Sequence, residues 1–264
     1  MHIHGTADAM IHVSSAFDGG NIEVVSANKA DDIQLRIQKD NASEFFQWFY
    51  FRVSGAREEV CRIRLINAGK ASYADGFYDY KACMSEDLRN WRRVDTSYDG
   101  KELTIRHKPS SSSFYIAFFA PYSLDQQRRF IARCQRNPLA SLEVIGHSVE
   151  GRDLDLLVIG SLGASKKVCW AIARQHPGET MGCFWMEGFL SRLLDPVDTV
   201  ALKVRESAVF YIVPNMNPDG SARGNLRTNA AGANLNREWA TPSKSRSPEV
   251  LAVRNRMVET GVDF

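Results

Sequence analysis

The chain has 264 residues, with 33 lysines and arginines against 31 aspartates and glutamates, for a formal net charge of +2. That balance sets up no global field to gather nucleic acid or a membrane surface, and no apolar run approaches the ~20 residues that span a bilayer. Hydrophobic residues make up 44% and charged residues 24%, which excludes disordered, collagen-like and coiled-coil chains and supplies a true core for one large domain or two.

The first residues hold His2, His4 and His12 without an apolar stretch of the secretory kind, and they read as a solvated tail. Short aromatic or β-branched runs follow at 45–53, 63–66, 77–84, 103–105 and 114–120, punctuated by Gly55, Gly69, Gly76, Gly100 and the serines at 110–113. Strands at this turn-separated spacing predict an antiparallel β-sandwich over residues 1–125. Pro121 ends the last run. The polar, arginine-rich stretch 125–136 reads as a surface helix or linker.

After Asn137 the pattern changes. The runs 154–159, 168–173 and 208–213 are almost continuously apolar, as strands covered on both faces are. Between the last two, Met181, Trp185, Phe189 and Leu193 recur every four residues and predict a helix. A second helix is expected from Ser247, with Pro248 at its first position and Val250, Val253 and Met257 among its apolar positions. Alternating strands and helices predict an α/β layer with a mostly parallel sheet over residues 126–264. The final residues, 261–264, read as the start of a further strand.

The five cysteines, Cys61, Cys83, Cys134, Cys169 and Cys183, are odd in number and never spaced as CxxC, so neither a disulfide framework nor a four-cysteine zinc site follows. Free cysteines in a leaderless chain fit a reducing, cytoplasmic location.

The chemistry concentrates in two places. The first is His176-Pro177-Gly178-Glu179, just past the apolar run ending at Ala173. A histidine and a carboxylate at this spacing can reach one zinc ion, and the carboxyl end of a strand is where open α/β sheets place their ligands. Chance predicts less than one such pair in this composition, and the sequence has two. The other, His147 and Glu150, lies in an extended segment where residues three apart point to opposite faces, so it serves as a control. The second place is 215–239, an Asn- and Gly-rich stretch after the last apolar run, long enough to be functional. Seven basic and two acidic residues lie between Ser221 and Arg256. They read either as a solvated positive face or as a pocket for a carboxylate, which arginine's fork matches. Asp219, within Asn-Pro-Asp-Gly, reads as a turn residue rather than a catalyst. Cys183, Trp185 and Trp239 read as packing. Arg174 reads equally as a residue standing behind the metal ligands or as a salt-bridged helix neighbour.

The order His-Pro-Gly-Glu, Asn-Pro-Asp-Gly, Asn225-Leu226-Arg227 and Asn234-Leu235-Asn236-Arg237-Glu238-Trp239 resembles the zinc metallocarboxypeptidases, and within them the cytosolic carboxypeptidase branch. In the front part, Trp48-Phe49-Tyr50-Phe51-Arg52-Val53 and Phe119-Ala120-Pro121-Tyr122-Ser123 resemble that branch's amino-terminal β-sandwich. The resemblance covers nearly the whole chain. It implies a front β-sandwich followed by part of an α/β zinc carboxypeptidase domain. It also implies Zn2+ as cofactor, held by His176 and Glu179. Arg227 would polarise the scissile carbonyl and stabilise the oxyanion. Asn236 and Arg237 would be buried and bind the substrate's terminal carboxylate, so that an internal peptide bond would leave them unpaired. The implied partner is a peptide or protein C-terminus, with acidic residues, glutamate above all, as the implied substrate class.

Two departures from the family pattern stand out. Where many relatives have an aspartate partner for the zinc histidine, this sequence has Asn234, which can accept a histidine N–H but brings no negative charge. The family also requires a third ligand, a histidine after the next strand, and a glutamate base near the end; no histidine follows His176. The expectation is a fragment of a complete enzyme carrying two of the three ligands. A chain that truly ended at Phe264 would be catalytically dead. Two alternatives remain at this point. One is a zinc N-acyl amino acid amidohydrolase using a similar pair. The other is a non-catalytic protein that binds acidic tails.

Overall fold

A computed structural model describes residues 10–163 and 165–264. His2 and His4 lie outside the described residues, whereas His12 opens a strand instead of belonging to an unpatterned tail. The chain divides into two units. One comprises the residues up to Lys39 together with Phe45–Pro121; the other comprises Asp40–Glu44 and Tyr122–Phe264.

The first unit contains strands β1 (His12–Ser14), β2 (Glu23–Ser26), β3 (Ile33–Arg36), β4 (Tyr50–Ser54), β5 (Cys61–Leu65), β6 (Cys83–Ser85), β7 (Arg92–Arg93), β8 (Asp95–Tyr98), β9 (Leu103–His107) and β10 (Ser113–Ala117). They form two five-stranded sheets, β1-β4-β10-β6-β7 and β2-β3-β5-β9-β8. Every pairing is antiparallel except β3 with β5. Alternation sets the register: Ile33 and Leu35 sit opposite Ile63 and Leu65, which sit opposite Ile105 and Leu103. All six are wholly buried, because every second residue of a strand faces the same side. Phe77, expected in a strand, instead ends a 3-10 turn (Ala74–Phe77) and packs its ring on Tyr80, Tyr98 and Phe118.

The second unit contains α1 (Leu124–Cys134), β11 (Ala140–His147), β12 (Asp153–Ile159), β13 (Lys167–Ile172), α2 (Met181–Leu193), α3 (Thr199–Ser207), β14 (Ala208–Val213), α4 (Pro218–Arg223) and α5 (Pro248–Thr260). Residue 125, the boundary read from sequence, thus falls inside α1. That helix begins with a reciprocal cap. Ser123 Oγ accepts from the Gln126 N–H, and Gln126 Oε1 accepts from the Ser123 N–H. The sheet order is β11-β12-β14-β13. The parallel arrangement expected from the apolar runs is realised in β13–β14, which α2 and α3 connect. The other two pairings are antiparallel, so the sheet is mixed rather than mostly parallel: only short connections, 148–152 and 160–166, join β11 to β12 and β12 to β13, and neither has room for a helical crossover.

Both faces of the sheet are covered. Leu157, Ile159, Phe210 and Ile212 pack on one side with Phe130 and Ile131 of α1 and Met186, Leu190 and Leu193 of α2. The alternate residues Leu156, Val158, Val209, Tyr211 and Val213 pack on the other with Val250 and Val253 of α5. This double coverage is the reason for the unbroken apolar runs. Val262–Phe264 run along the free edge of β13: Asp263 and Phe264 N–H groups donate to Val168 O, and Trp170 N–H donates to Phe264 O.

Helix α2 corrects one expectation. Its buried face is Cys183, Met186, Leu190 and Leu193, not the row Met181, Trp185, Phe189, Leu193. Met181 and Trp185 are 46% and 58% exposed, and Trp185 stacks on Phe189 at 5.0 Å. A strict four-residue step drifts about 40° per step around a helix of 3.6 residues per turn, so such a row winds off the core, whereas alternating three and four stays on it. Leu190→Ala is therefore expected to lower the unfolding free energy by about 2–5 kcal/mol, and Trp185→Ala by about 1 kcal/mol or less. Chemical-denaturation midpoints of the two variants check this; equal losses would contradict it.

Candidate functional site

The parallel register of β13 and β14 brings the ends of both strands to one edge. The ladder runs on past them, with Ala173 N–H donating to Val213 O at 3.0 Å and Met216 N–H to Ala173 O at 2.9 Å. Both chemistry-bearing segments begin there.

Arg174 takes a left-handed backbone, φ +54°, a conformation that strains a residue with a side chain. Its guanidinium is buried; it donates to Pro177 O at 3.0 Å and Tyr122 O at 2.7 Å. Burial pulls its pKa below the usual arginine range. Of its two possible roles the structure supports the first: these bonds brace the turn that carries His176, and the polar partners are carbonyls rather than a carboxylate.

His176 is buried, 8% exposed, and both ring nitrogens are engaged. Nδ1 lies 2.9 Å from Glu179 Oε1 and Nε2 lies 3.1 Å from Asn234 Oδ1. Asn234 Oδ1 also accepts from the Asn236 N–H at 3.2 Å, which fixes the amide with its oxygen toward the ring. Nε2 therefore carries the proton. Nδ1 then turns its lone pair on a carboxylate oxygen, and two acceptors facing each other call for a second proton or a cation between them. Two ligands of one tetrahedral zinc stand about 3.3 Å apart at Zn–N and Zn–O distances of about 2.0–2.1 Å, close to the separation seen here. The Glu179 side chain is 56% exposed. With a second proton on the ring, the hydrogen bond from Nδ1 and the charges of His176 and Arg227 hold its carboxyl below the ordinary glutamate range. Among the described residues no group of three or more His, Cys, Asp and Glu gathers into a metal site, so the arrangement supplies two ligands. The control pair separates as expected: His147 turns to Asp153, and Glu150 to Arg152 and Arg223.

The second segment closes on the first. Asn217 caps α4 through its side chain, and Asp219, wholly buried, accepts from Ser148 Oγ, the Glu150 N–H and Arg152 Nη1. It is a structural carboxylate at a helix start. Gly224 ends α4 in the left-handed region, φ +71°, and the chain turns into Asn225-Leu226-Arg227. Gly178 N–H donates to Leu226 O at 2.9 Å, and a Cβ at 178 would meet that oxygen at 3.0 Å. A Cβ at Gly220 would meet Pro177 at 2.4 Å and Thr228 O at 2.5 Å. Glycines at both positions let the two segments touch.

Sequence reasoning missed Asp40. Its carboxylate, 3% exposed, accepts from the N–H groups of Leu226, Arg227 and Thr228 at 2.5, 2.7 and 2.9 Å, and from Thr228 Oγ1 at 3.2 Å. Burial pushes its pKa up, against the pull of those donors. Asp40 and Leu226 are 186 residues apart, and no local pattern signals such a bond.

Asn236 and Arg237 sit on a 3-10 turn (Leu235–Arg237). Both are exposed, which corrects the expectation of a buried fork: the turn places them at the surface. Asn236 shares a cleft of about 380 Å³ with Arg174, His176, Glu179 and Trp185. Trp239 is partly buried and donates to Gln175 Oε1 at 2.7 Å, tying this turn to the residue before His176. Cys183 is buried against Pro214 O and Arg174, a core position. His176, Glu179 and Asn234 are thus in direct contact, Arg227 acts on Glu179 electrostatically, and Asn236 lines the same cleft.

Residues 13–119 match the family model for the cytosolic carboxypeptidase N-terminal domain, and residues 129–256 match that for zinc carboxypeptidase. An uncharacterized protein of Zymomonas mobilis is 50% identical over 96% of this chain and 66% of its own length. Cytosolic carboxypeptidase 2 of Danio rerio is 30% identical over 91% of this chain and 38% of its own. The crystal structure of a metallo-carboxypeptidase from Burkholderia cenocepacia superposes with a TM-score of 0.95 at 48% identity, covering 97% of this chain and 69% of that one. The chain therefore spans about two thirds or less of the curated relatives named here. Both matched models are carboxypeptidase models, which speaks against the amidohydrolase alternative. No helix among the described residues is long and apolar enough to cross a membrane. With the two family models matched in order and this degree of identity, the chain belongs to the zinc carboxypeptidase family, in the branch that carries the cytosolic carboxypeptidase amino-terminal domain.

Proposed function

We propose that the protein is a zinc-dependent carboxypeptidase that removes C-terminal residues from peptides or proteins, and that this chain carries two of its metal ligands and its carboxylate- and oxyanion-binding groups. The observation that carries the proposal is the His176 ring held between Asn234 and Glu179, with Nδ1 and Oε1 2.9 Å apart. Two neighbouring acceptors suit a cation, and nitrogen and oxygen donors suit zinc. Bound there, zinc supplies Lewis-acid polarisation of the scissile carbonyl and activation of the attacking water.

The chain's own residues account for the rest. Asn234 holds the proton on Nε2 and so keeps Nδ1 free for the metal. As an amide it adds no charge to the ring, unlike a carboxylate. Arg227, whose charge is felt at Glu179, stabilises the oxyanion. Asn236, which lines the cleft, and the adjacent Arg237 on the same 3-10 turn take the substrate's terminal carboxylate. An acidic preference finds only modest support in the basic stretch 221–256, because Arg223, Arg246 and Arg256 already pair with carboxylates.

In the protein purified from its own cells and stripped of metal, zinc titration calorimetry is expected to give one strong site that His176→Ala removes, that Asn234→Ala weakens about 10- to 100-fold, and that His147→Ala leaves unchanged. Equal binding by the first and last variants would contradict the assignment. In the protein purified from its own cells, Arg227→Ala is expected to lower kcat by about 10²- to 10³-fold with zinc content intact, and Arg237→Ala to act mainly on KM. Release of terminal leucine as fast as terminal glutamate would rule out the acidic preference.

A further inference from the structure

Asp40 lies in sequence inside the span of the amino-terminal family domain, residues 13–119, yet in space it belongs to the unit that carries His176. Its carboxylate binds three consecutive backbone N–H groups, and the middle one is that of Arg227. Three donors converging on one carboxylate fix the orientation of three successive peptide planes, and the last two flank Arg227 and set the direction in which its side chain leaves the backbone. The neighbouring residues reinforce the same loop. Asn41 Nδ2 donates to Ala230 O at 2.7 Å, and Asn41 Oδ1 accepts from Asn225 Nδ2 at 2.7 Å. Gly232, at φ +75°, comes so near that a Cβ there would meet Ala42 O at 2.6 Å. The loop's other side is bonded to the zinc-ligand turn through Gly178 and Leu226.

We propose that Asp40 is a positioning residue for Arg227: a carboxylate contributed from the amino-terminal sequence sets the backbone from which the oxyanion-stabilising guanidinium projects. This rests on the reading of Arg227 given above. A buried aspartate bonded to a loop could also serve stability alone. The two roles differ in what a conservative variant does. Asp40→Asn keeps the shape and one acceptor oxygen but turns an NH2 group toward backbone donors. A misplacement of about 1 Å in a catalytic group can cost about 10²-fold in rate, whereas a purely structural bond moves the melting temperature and leaves the folded enzyme's kcat alone.

The test compares wild type, Asp40→Asn and Asp40→Glu in the zinc-loaded protein purified from its own cells. It measures kcat and KM on a peptide substrate, zinc content, and amide hydrogen exchange of a peptide covering 225–229. Asp40→Asn is expected to keep full zinc content and a KM within about threefold, to lose about 10- to 100-fold in kcat, and to exchange faster at 226–228 but not at 174–179. Asp40→Glu, which retains the charge and both oxygens, is expected to recover part of kcat. Unchanged kcat in folded, zinc-loaded Asp40→Asn overturns the proposal, as does unchanged exchange at 226–228. A wild-type protein that is zinc-loaded and releases no terminal residue overturns the carboxypeptidase reading itself, a result distinct from active wild type matched by active Asp40→Asn.

Discussion

The constraint on which the rest depends is the parallel pairing of β13 with β14. Two parallel strands end at the same edge, so the segments that follow them must meet. Residues 173–179 leave one strand and residues 214–239 leave the other. Because the ladder continues to Ala173 past one strand and to Met216 past the other, both segments start from a fixed register rather than from a loose loop. Helices α1 and α2 bury their apolar faces on one side of the sheet, and α5 covers the other. The core thereby holds the edge that the chemistry uses.

At that edge the structure solves a solvation problem. Asn215, Asn217, Asp219, Asn225, Asn229 and Glu249 are all buried, and a buried polar group without a partner costs about 1–3 kcal/mol. Each finds partners within the second unit: Asp219 with Arg152 and Ser148, Glu249 with Asn229, Asn225 with Asn41 and Thr228. Such a network is rigid because no member can rotate without leaving another unsatisfied. His176 lies at its rim and differs from it. Its two nitrogens face two acceptors, and the one at Nδ1 is satisfied only by a charge, a proton or a metal. The buried polar groups named above are paired, and the Nδ1–Oε1 contact at their rim is where a cation would be useful.

Much of this was legible in the sequence. The apolar runs located β12, β13 and β14 within a residue, because continuous burial on both faces leaves no polar position to blur the ends. His176 and Glu179 could be singled out because their motif stands just after a readable strand, whereas Arg227 and Asn234 were singled out only through the family resemblance of their motifs. The rest was hidden for identifiable reasons. Strands β1, β2 and β11 keep much of their surface exposed, so they carry little hydrophobic signal. The buried face of α2 was misread because Met181 and Trp185 are large and conspicuous, while the residues packed on the sheet are Met186, Leu190 and Leu193, with Phe189 partly buried beside them. Asn236 and Arg237 were assigned to a buried fork on chemical grounds, and burial depends on which side of a turn faces out, which a motif does not encode. Asp40 was invisible altogether, since its partners lie at the far end of the chain and its meaning is purely tertiary.

The central claim is that Nδ1 of His176 and Oε1 of Glu179 hold one zinc ion. X-ray absorption at the zinc edge of the loaded protein tests it most directly. The account predicts a shell of nitrogen and oxygen at about 2.0–2.2 Å with imidazole scattering and no sulfur, and loss of imidazole scattering in His176→Ala. A zinc–sulfur distance near ~2.3 Å, or a shell identical in wild type and His176→Ala, would contradict it.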